Sequence, residues 1–285
     1  MQKIWVCGAR GQIGQAVNDV VDKLEFEMLD TDVDDLDVTD TDEVLRFGEM
    51  NRPDIIINCS GMTDISSCEE NPSQAFKVNA LGARNLAIVA AKMQAKMVQL
   101  STDDVFDGKS TEPYTEFDIT NPGTVYGKSK LAGENYVKEF TTKHFIVRST
   151  WVYGKGQNFI NGFLKKVDAG EQLSIASDKF GSPTSANELA RFLLHLVHTS
   201  EYGTYHATNK GVCSRYAFAQ EILKMTGKTA SMQPVPTVMS DFSKVRPAYA
   251  VLDNFIMSMV PIYDFPDWQD SLREYLEERG LYHAE

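Results

Sequence analysis

The stretch KIWVCGARGQIGQAVNDVVDKL (3–24) decides the fold. Ile4, Trp5, Val6 and Cys7 form a short apolar run of strand type, which breaks at once into Gly8-Ala9-Arg10-Gly11-Gln12-Ile13-Gly14 and then into a helical pattern. Strand, tight turn and helix in that order are what a dinucleotide site requires. Glycines let the backbone come close to a pyrophosphate, and the amides that open the following helix, with its dipole, favour the negative charge. Gly8, Gly11, Gln12, Ile13 and Gly14 are therefore candidate cofactor residues. The spacing is G-x-x-G-x-x-G, so the commoner G-x-G-x-x-G fingerprint is met only in part, and a plain β-to-α turn is the competing reading.

Working outward, strand-like runs at 3–7, 26–29, 54–58, 96–101 and 144–148 alternate with helical stretches. Leu86, Val89, Ala90 and Met93 make one apolar stripe, and Leu189, Phe192, Leu193, Leu196 and Val197 make another. This rhythm predicts an α/β protein with a doubly wound parallel sheet of Rossmann type. Beyond about residue 207 one helical stretch (216–225) is followed by a proline-rich, aperiodic segment, which predicts a smaller, irregular C-terminal α/β lobe for the substrate. The expected division is 1–150 plus about 176–206 for the dinucleotide domain, with about 151–175 and 207–285 for the substrate lobe.

The 285 residues carry 28 Lys and Arg against 40 Asp and Glu, a formal charge of −12 that repels a phosphate backbone. No apolar run approaches the roughly 20 residues that span a bilayer. A cytoplasmic protein with neither nucleic acid nor membrane as partner is the expectation. Cys7, Cys59, Cys68 and Cys213 show no Cys-x-x-Cys pair and are expected as reduced, mainly buried thiols. The run 30–43, DTDVDDLDVTDTDE, holds eight carboxylates in fourteen positions. It fails as a calcium loop, because Asp35 and Thr41 stand where an EF-hand needs Gly and Glu, and a solvated connection is expected.

Asp30, sixteen residues after Gly14, ends the second strand where an acid can accept from an adenosine ribose and repel a 2′-phosphate. That points toward NAD, with NADP left open and a solvated loop acid as the competing reading. Tyr126 and Lys130 stand one helical turn apart, about 6 Å of rise, on one face. An ammonium within about 4–6 Å favours the ionised phenol by roughly 1–3 pK units, so the pair forms a tunable proton donor for a carbonyl that receives hydride. Ser101 and Thr102 follow a strand at the carboxyl edge of the sheet and offer a second hydroxyl there, with a local turn or cap as the alternative.

Together with GARGQIG (8–14), LDVTD (36–40), NPSQAFKVNALGARNLA (71–87), STDDVFDG (101–108), YGKSK (126–130), RSTWVYG (148–154), FGSPTSANELA (180–190) and Val245-Arg246-Pro247, these residues make the chain resemble the extended short-chain dehydrogenase/reductase superfamily. The resemblance is closest to its dTDP-4-dehydrorhamnose reductase branch and covers nearly the whole chain. It implies NADPH- or NADH-dependent reduction of the 4-keto group of a dTDP-6-deoxyhexose, dTDP-4-dehydro-L-rhamnose first among them. It further implies Thr102, Tyr126 and Lys130 as the catalytic triad, with Tyr126 as acid. Gln12 and Ile13 are implied at the pyrophosphate, Asp37 and Val38 at the adenine, Ser60, Gly61 and Met62 as the loop lining the cofactor, and Trp151 and Arg246 at the substrate. Core packing is an alternative for Trp151, and a solvated surface for Arg246. A nucleotide sugar is the implied partner, and a monomer or weak homodimer the expected state.

Two positions depart from the family pattern: Asp104 stands where an aromatic is usual, and Met62 where Tyr is typical. They leave the sugar and the base open. They also keep alive a non-catalytic nucleotide-binding regulator, like the regulatory subunit of a methionine adenosyltransferase, while a nucleotide-sugar epimerase is a second rival. The retained Tyr126, Lys130 and Thr102 stand against a pure binding module. Some members bridge a dimer through a metal and a Glu two residues after the third glycine; Ala16 occupies that place, so no metal is expected.

Overall fold

Gln2–Cys7 (β1) sends Ile4 and Val6 to one face and Trp5 and Cys7 to the other, and all four are buried. A strand apolar on both faces belongs in the middle of a sheet covered on both sides. The computed structural model describes residues 1–237, 248–249 and 251–283. After β1 the chain runs through Gln12–Val20 (α1), Phe26–Thr31 (β2), Thr41–Asn51 (α2), Ile55–Asn58 (β3), Ile65–Glu70 (α3), Pro72–Phe76 (α4), Ala83–Met93 (α5), Lys96–Thr102 (β4), Val125–Phe140 (α6) and His144–Ser149 (β5). It continues with Val152–Tyr153 (β6), Phe159–Asp168 (α7), Leu173–Ala176 (β7), Phe180–Gly181 (β8), Thr184–Ser185 (β9), Ala186–His198 (α8) and Gly203–His206 (β10). Cys213–Ser214 (β11), Arg215–Thr226 (α9), Met232–Val235 (β12), Phe255–Met259 (α10) and Trp268–Glu278 (α11) complete it.

Six parallel strands form the central sheet in the order β10-β5-β4-β3-β1-β2. One face carries α1 and α8 over Ile4, Val6, Ile55, Ile57, Val98 and Val147; the other carries α2, α5 and α6 over Trp5, Ile56, Met97 and Ile146. The fold is a doubly wound α/β sheet, and β1 pairs with β2 on one side and β3 on the other. That reversal opens a crevice beyond the carboxyl ends of β1 and β3, the switch point where open α/β sheets take ligands.

A second core gathers α7, α9 and α11 around Tyr153, Phe163, Phe218, Trp268, Leu272 and Leu276. The C-terminal segment divides between the two cores, because Met257 and Phe265 pack with the central sheet. Helices α7 and α11 were not expected from the sequence. In α11 Trp268, Leu272, Tyr275 and Leu276 do recur at helical spacing, but charged residues between them dilute the stripe.

Candidate active site

Gly8 has φ of +75°, and a Cβ there would stand 2.7 Å from the Ser60 nitrogen, so the turn after β1 and the loop after β3 touch backbone to backbone. At Gly14 a Cβ would lie 2.4 Å from the Gly8 carbonyl oxygen, which lets α1 start directly against the turn. Both glycines are dictated by close approach. Gly11 is the N-cap of α1 without any side-chain cap, and Gly11, Gln12 and Ile13 line a cavity of about 420 Å³. The Gln12 Oε1 atom is buried with no partner among the described residues, while its amide nitrogen donates to the Gln157 carbonyl. An uncapped helix start, two positions that exclude a Cβ and an orphaned amide oxygen fit a dinucleotide pyrophosphate.

This cavity shares Gly11, Cys59, Ser60 and Gly61 with a second, of about 410 Å³, lined also by Gly8, Thr31, Asp32, Val33, Asp37, Val38 and Met62. The two form one cleft. Of the sequence candidates, Asp37, Val38, Ser60, Gly61 and Met62 line it, and so do Gly8, Gly11, Gln12 and Ile13. Gly14 lies behind the wall. Asp30 is corrected: it pairs with Val6 inside β2, is exposed, and lines neither cavity, because β2 runs one residue further to Thr31. The acid at the end of that strand is Asp32, whose carboxylate accepts the Arg10 N–H at 2.8 Å. Cys59, also on the wall, is half-buried, and burial pushes its thiol up to about 12, so it stays protonated near neutral pH.

Helix α6 carries Tyr126 and Lys130 into the first cavity. Thr124 caps it, its hydroxyl accepting the Gly127 N–H at 2.9 Å, and the Glu69 carboxylate accepts the Val125 N–H at 2.8 Å. A Cβ on Gly127 would fall 2.0 Å from the Asp104 carbonyl, so glycine is what allows this end to press against the turn after β4. Between α4 and α5 one π-helical turn (Lys77–Gly82) pushes Asn79 inward. Its amide donates to the Met62 carbonyl and the Ser129 hydroxyl and accepts the Met62 N–H, and Ser129 donates to the Tyr126 carbonyl. Asn79 thus ties the loop after β3 to the first turn of α6. The sequence reading missed it, since a π turn has no propensity signature.

Tyr126 and Lys130 are both buried. Burial pulls the Lys130 ammonium down to about 8, opposed by the Glu134 carboxylate one turn on. Glu134 is itself fully buried; burial raises its carboxyl, but bidentate bonds from Arg148 (2.9 and 2.7 Å) and the Ser101 hydroxyl (2.6 Å) keep it below its ordinary value. Breaking such a pair by removing one partner costs about 3–5 kcal/mol. Ser101, a further cofactor candidate, borders the cavity while its hydroxyl donates to Glu134, so it belongs to this network as well as to the wall. Thr102 donates to Asp103 at 2.9 Å, and Thr150 donates to the other Asp103 oxygen at 2.7 Å. All three line the cavity.

The opposite wall comes from the second core. Trp151 is half-buried, holds a φ of +46°, unusual for a bulky residue, and lies 3.4 Å under the Arg215 guanidinium. A Cβ on Gly181 would meet the indole at 2.7 Å, so Gly181 makes the room for that ring. The Phe159 ring also lies against Arg215, at 4.6 Å, and Trp151, Phe159 and Arg215 all line the cavity. Arg215 was not singled out from sequence; only its place at the head of a helix facing the cleft distinguishes it from a surface arginine. Arg246 lies outside the described residues.

The family described as RmlD substrate binding domain matches residues 1–280. The chain is 35% identical, over 98% of its length and 99% of the relative's, to the spore coat polysaccharide biosynthesis protein SpsK of Bacillus subtilis. A crystal structure of a dTDP-4-dehydrorhamnose reductase from Clostridium acetobutylicum superposes with a TM-score of 0.96 at 40% identity, covering 98% of this chain and 100% of that one. A dTDP-4-dehydrorhamnose reductase from Bacillus anthracis, solved in complex with NADP, gives 0.94 at 35% identity with the same coverage.

Proposed function

The chain belongs to the dTDP-4-dehydrorhamnose reductase branch of the extended short-chain dehydrogenase/reductases, and from that premise we propose that it reduces the 4-keto group of a dTDP-6-deoxyhexose, dTDP-4-dehydro-L-rhamnose in the first place, with Tyr126 as general acid. The observation that carries this reading is the placement of Tyr126 and Lys130, side by side on α6, in a cavity continuous with the glycine-loop cleft. Gly8, Gly11, Gln12 and Ile13 would hold the pyrophosphate of a nicotinamide coenzyme, and Asp37, Val38 and Met62 its adenosine end. When bound, the reduced nicotinamide supplies a hydride.

The Tyr126 hydroxyl donates to the carbonyl oxygen of the sugar and passes it a proton as the carbon–oxygen π bond opens and a new C–H bond forms. The charged Lys130 steadies the phenolate left behind. Thr102 turns its proton from Asp103 to the same carbonyl oxygen, and Asp103 keeps the Thr150 bond meanwhile. Trp151 and Phe159 both lie against Arg215, whose planar fork suits a diphosphate oxygen pair.

Loss of reduced-nicotinamide absorbance is followed with dTDP-4-keto-6-deoxy-L-hexose, made in situ from dTDP-glucose. Turnover with release of oxidised coenzyme supports the reading. No oxidation with either coenzyme overturns it in favour of a binding protein, and stoichiometric coenzyme retained through purification favours an epimerase.

A further inference from the structure

The acidic run at 30–43 takes no part in the proton and hydride steps, yet its first half walls the adenosine end of the cleft. Asp32 and Val33 line that cavity, and among the described residues lining it there is no Lys, Arg or His. The Asp32 carboxylate accepts the Arg10 N–H and the Val33 N–H, each at 2.8 Å, so its position is fixed. Arg10 is the one cation within the glycine loop itself. Its guanidinium is held away by Asp34 at 2.7 Å and Asp35 at 2.6 Å, and Asp35 also accepts the Asp32 N–H at 3.0 Å. These three acids and the arginine form one knit turn after β2. Exposed pairs of this kind add little to stability. Their consequence is local: they occupy the guanidinium of the glycine loop, the fork nearest in sequence to a phosphate bound at this end.

We propose that this turn selects between the nicotinamide coenzymes and that the chain takes NADH in preference to NADPH. Asp32 accepts from the free ribose hydroxyls, and a 2′-phosphate meets a carboxylate instead of a cation, because Asp34 and Asp35 retain Arg10. The inference rests on the reading that the cleft binds a nicotinamide coenzyme. The 2′-phosphate carries close to two negative charges and would sit among carboxylates within a Debye length of about 8 Å.

The test is the dissociation constant of the purified full chain for NADH and for NADPH, by calorimetric titration with no sugar present. NADH is expected to bind at least about tenfold tighter. The exposed double variant Asp34→Asn, Asp35→Asn keeps the Asp35 acceptor for the Asp32 amide and frees Arg10; its NADPH affinity is expected to rise about tenfold. Adding Arg10→Gln to that variant should abolish the gain. NADPH binding as tight as NADH in the native chain, or a ratio that the double variant leaves within about twofold, overturns the selectivity while leaving the coenzyme cleft intact. Failure of both coenzymes to bind overturns the cleft reading and this inference together.

Discussion

Around the glycine turn, at the coenzyme end of the cleft, the wall is built by backbone: Gly8 against Ser60, Gly14 against Gly8, and the open start of α1. At the sugar end it is side chain: Tyr126 and Lys130 from α6, Trp151 after β5, Phe159 from α7 and Arg215 from α9. A backbone wall is specified by what must be missing, and a few glycines in order announce it. A side-chain wall is specified by how distant segments fold onto each other, and nothing local announces that. The difference predicts that substitutions at one end change coenzyme affinity and those at the other change turnover or sugar affinity.

The largest expected effect tests that division at the join. Tyr126→Phe removes the proton donor and keeps the ring, so kcat should fall by roughly 10² or more while coenzyme affinity is held. Equal loss of coenzyme binding would erase the distinction between the two ends. On the other side, Gly14→Ala forces a Cβ against the Gly8 carbonyl, and coenzyme affinity should drop at least about tenfold with a stability loss of about 1–3 kcal/mol. Titration and thermal melting of the same variant read both.

Arg215→Leu keeps much of the apolar stem over Trp151 and removes the charge; sugar-nucleotide KM should rise about tenfold with coenzyme affinity unchanged. The smallest effect is in pH. Burial pulls Lys130 down to about 8, so its charged form persists below that pH and is lost above it. With the charge needed beside the phenol, kcat/KM for the coenzyme, which reports the free enzyme, should hold below about pH 8 and decline above it. A flat profile through that range would remove Lys130 from the reaction.

The same contrast explains how much could be read in advance. All five early strands and the helices over the sheet follow from runs such as Ile55–Asn58 and the stripe of α5, because burial on both faces leaves a dense apolar signal. The coenzyme loop was legible for the reason given, apart from Asp30, where a strand one residue longer moved the acid at its end to Asp32. Asn79 and Arg215 were not legible. The first depends on a single π turn, the second on α9 meeting the residues after β5 within the second core. Ser101 was seen at the right edge, but its partner Glu134 sits thirty-three positions on and takes its proton.

The proposed reduction needs the Tyr126 phenol where the two ends of the cleft meet. A crystal structure of the chain with NADH and the dTDP-sugar product tests it directly. The Tyr126 hydroxyl is expected within hydrogen-bond reach of the new sugar hydroxyl, with Lys130 beside the nicotinamide ribose and Gly11 to Ile13 on the pyrophosphate. A nicotinamide bound elsewhere, or a product hydroxyl out of reach of Tyr126, would contradict it.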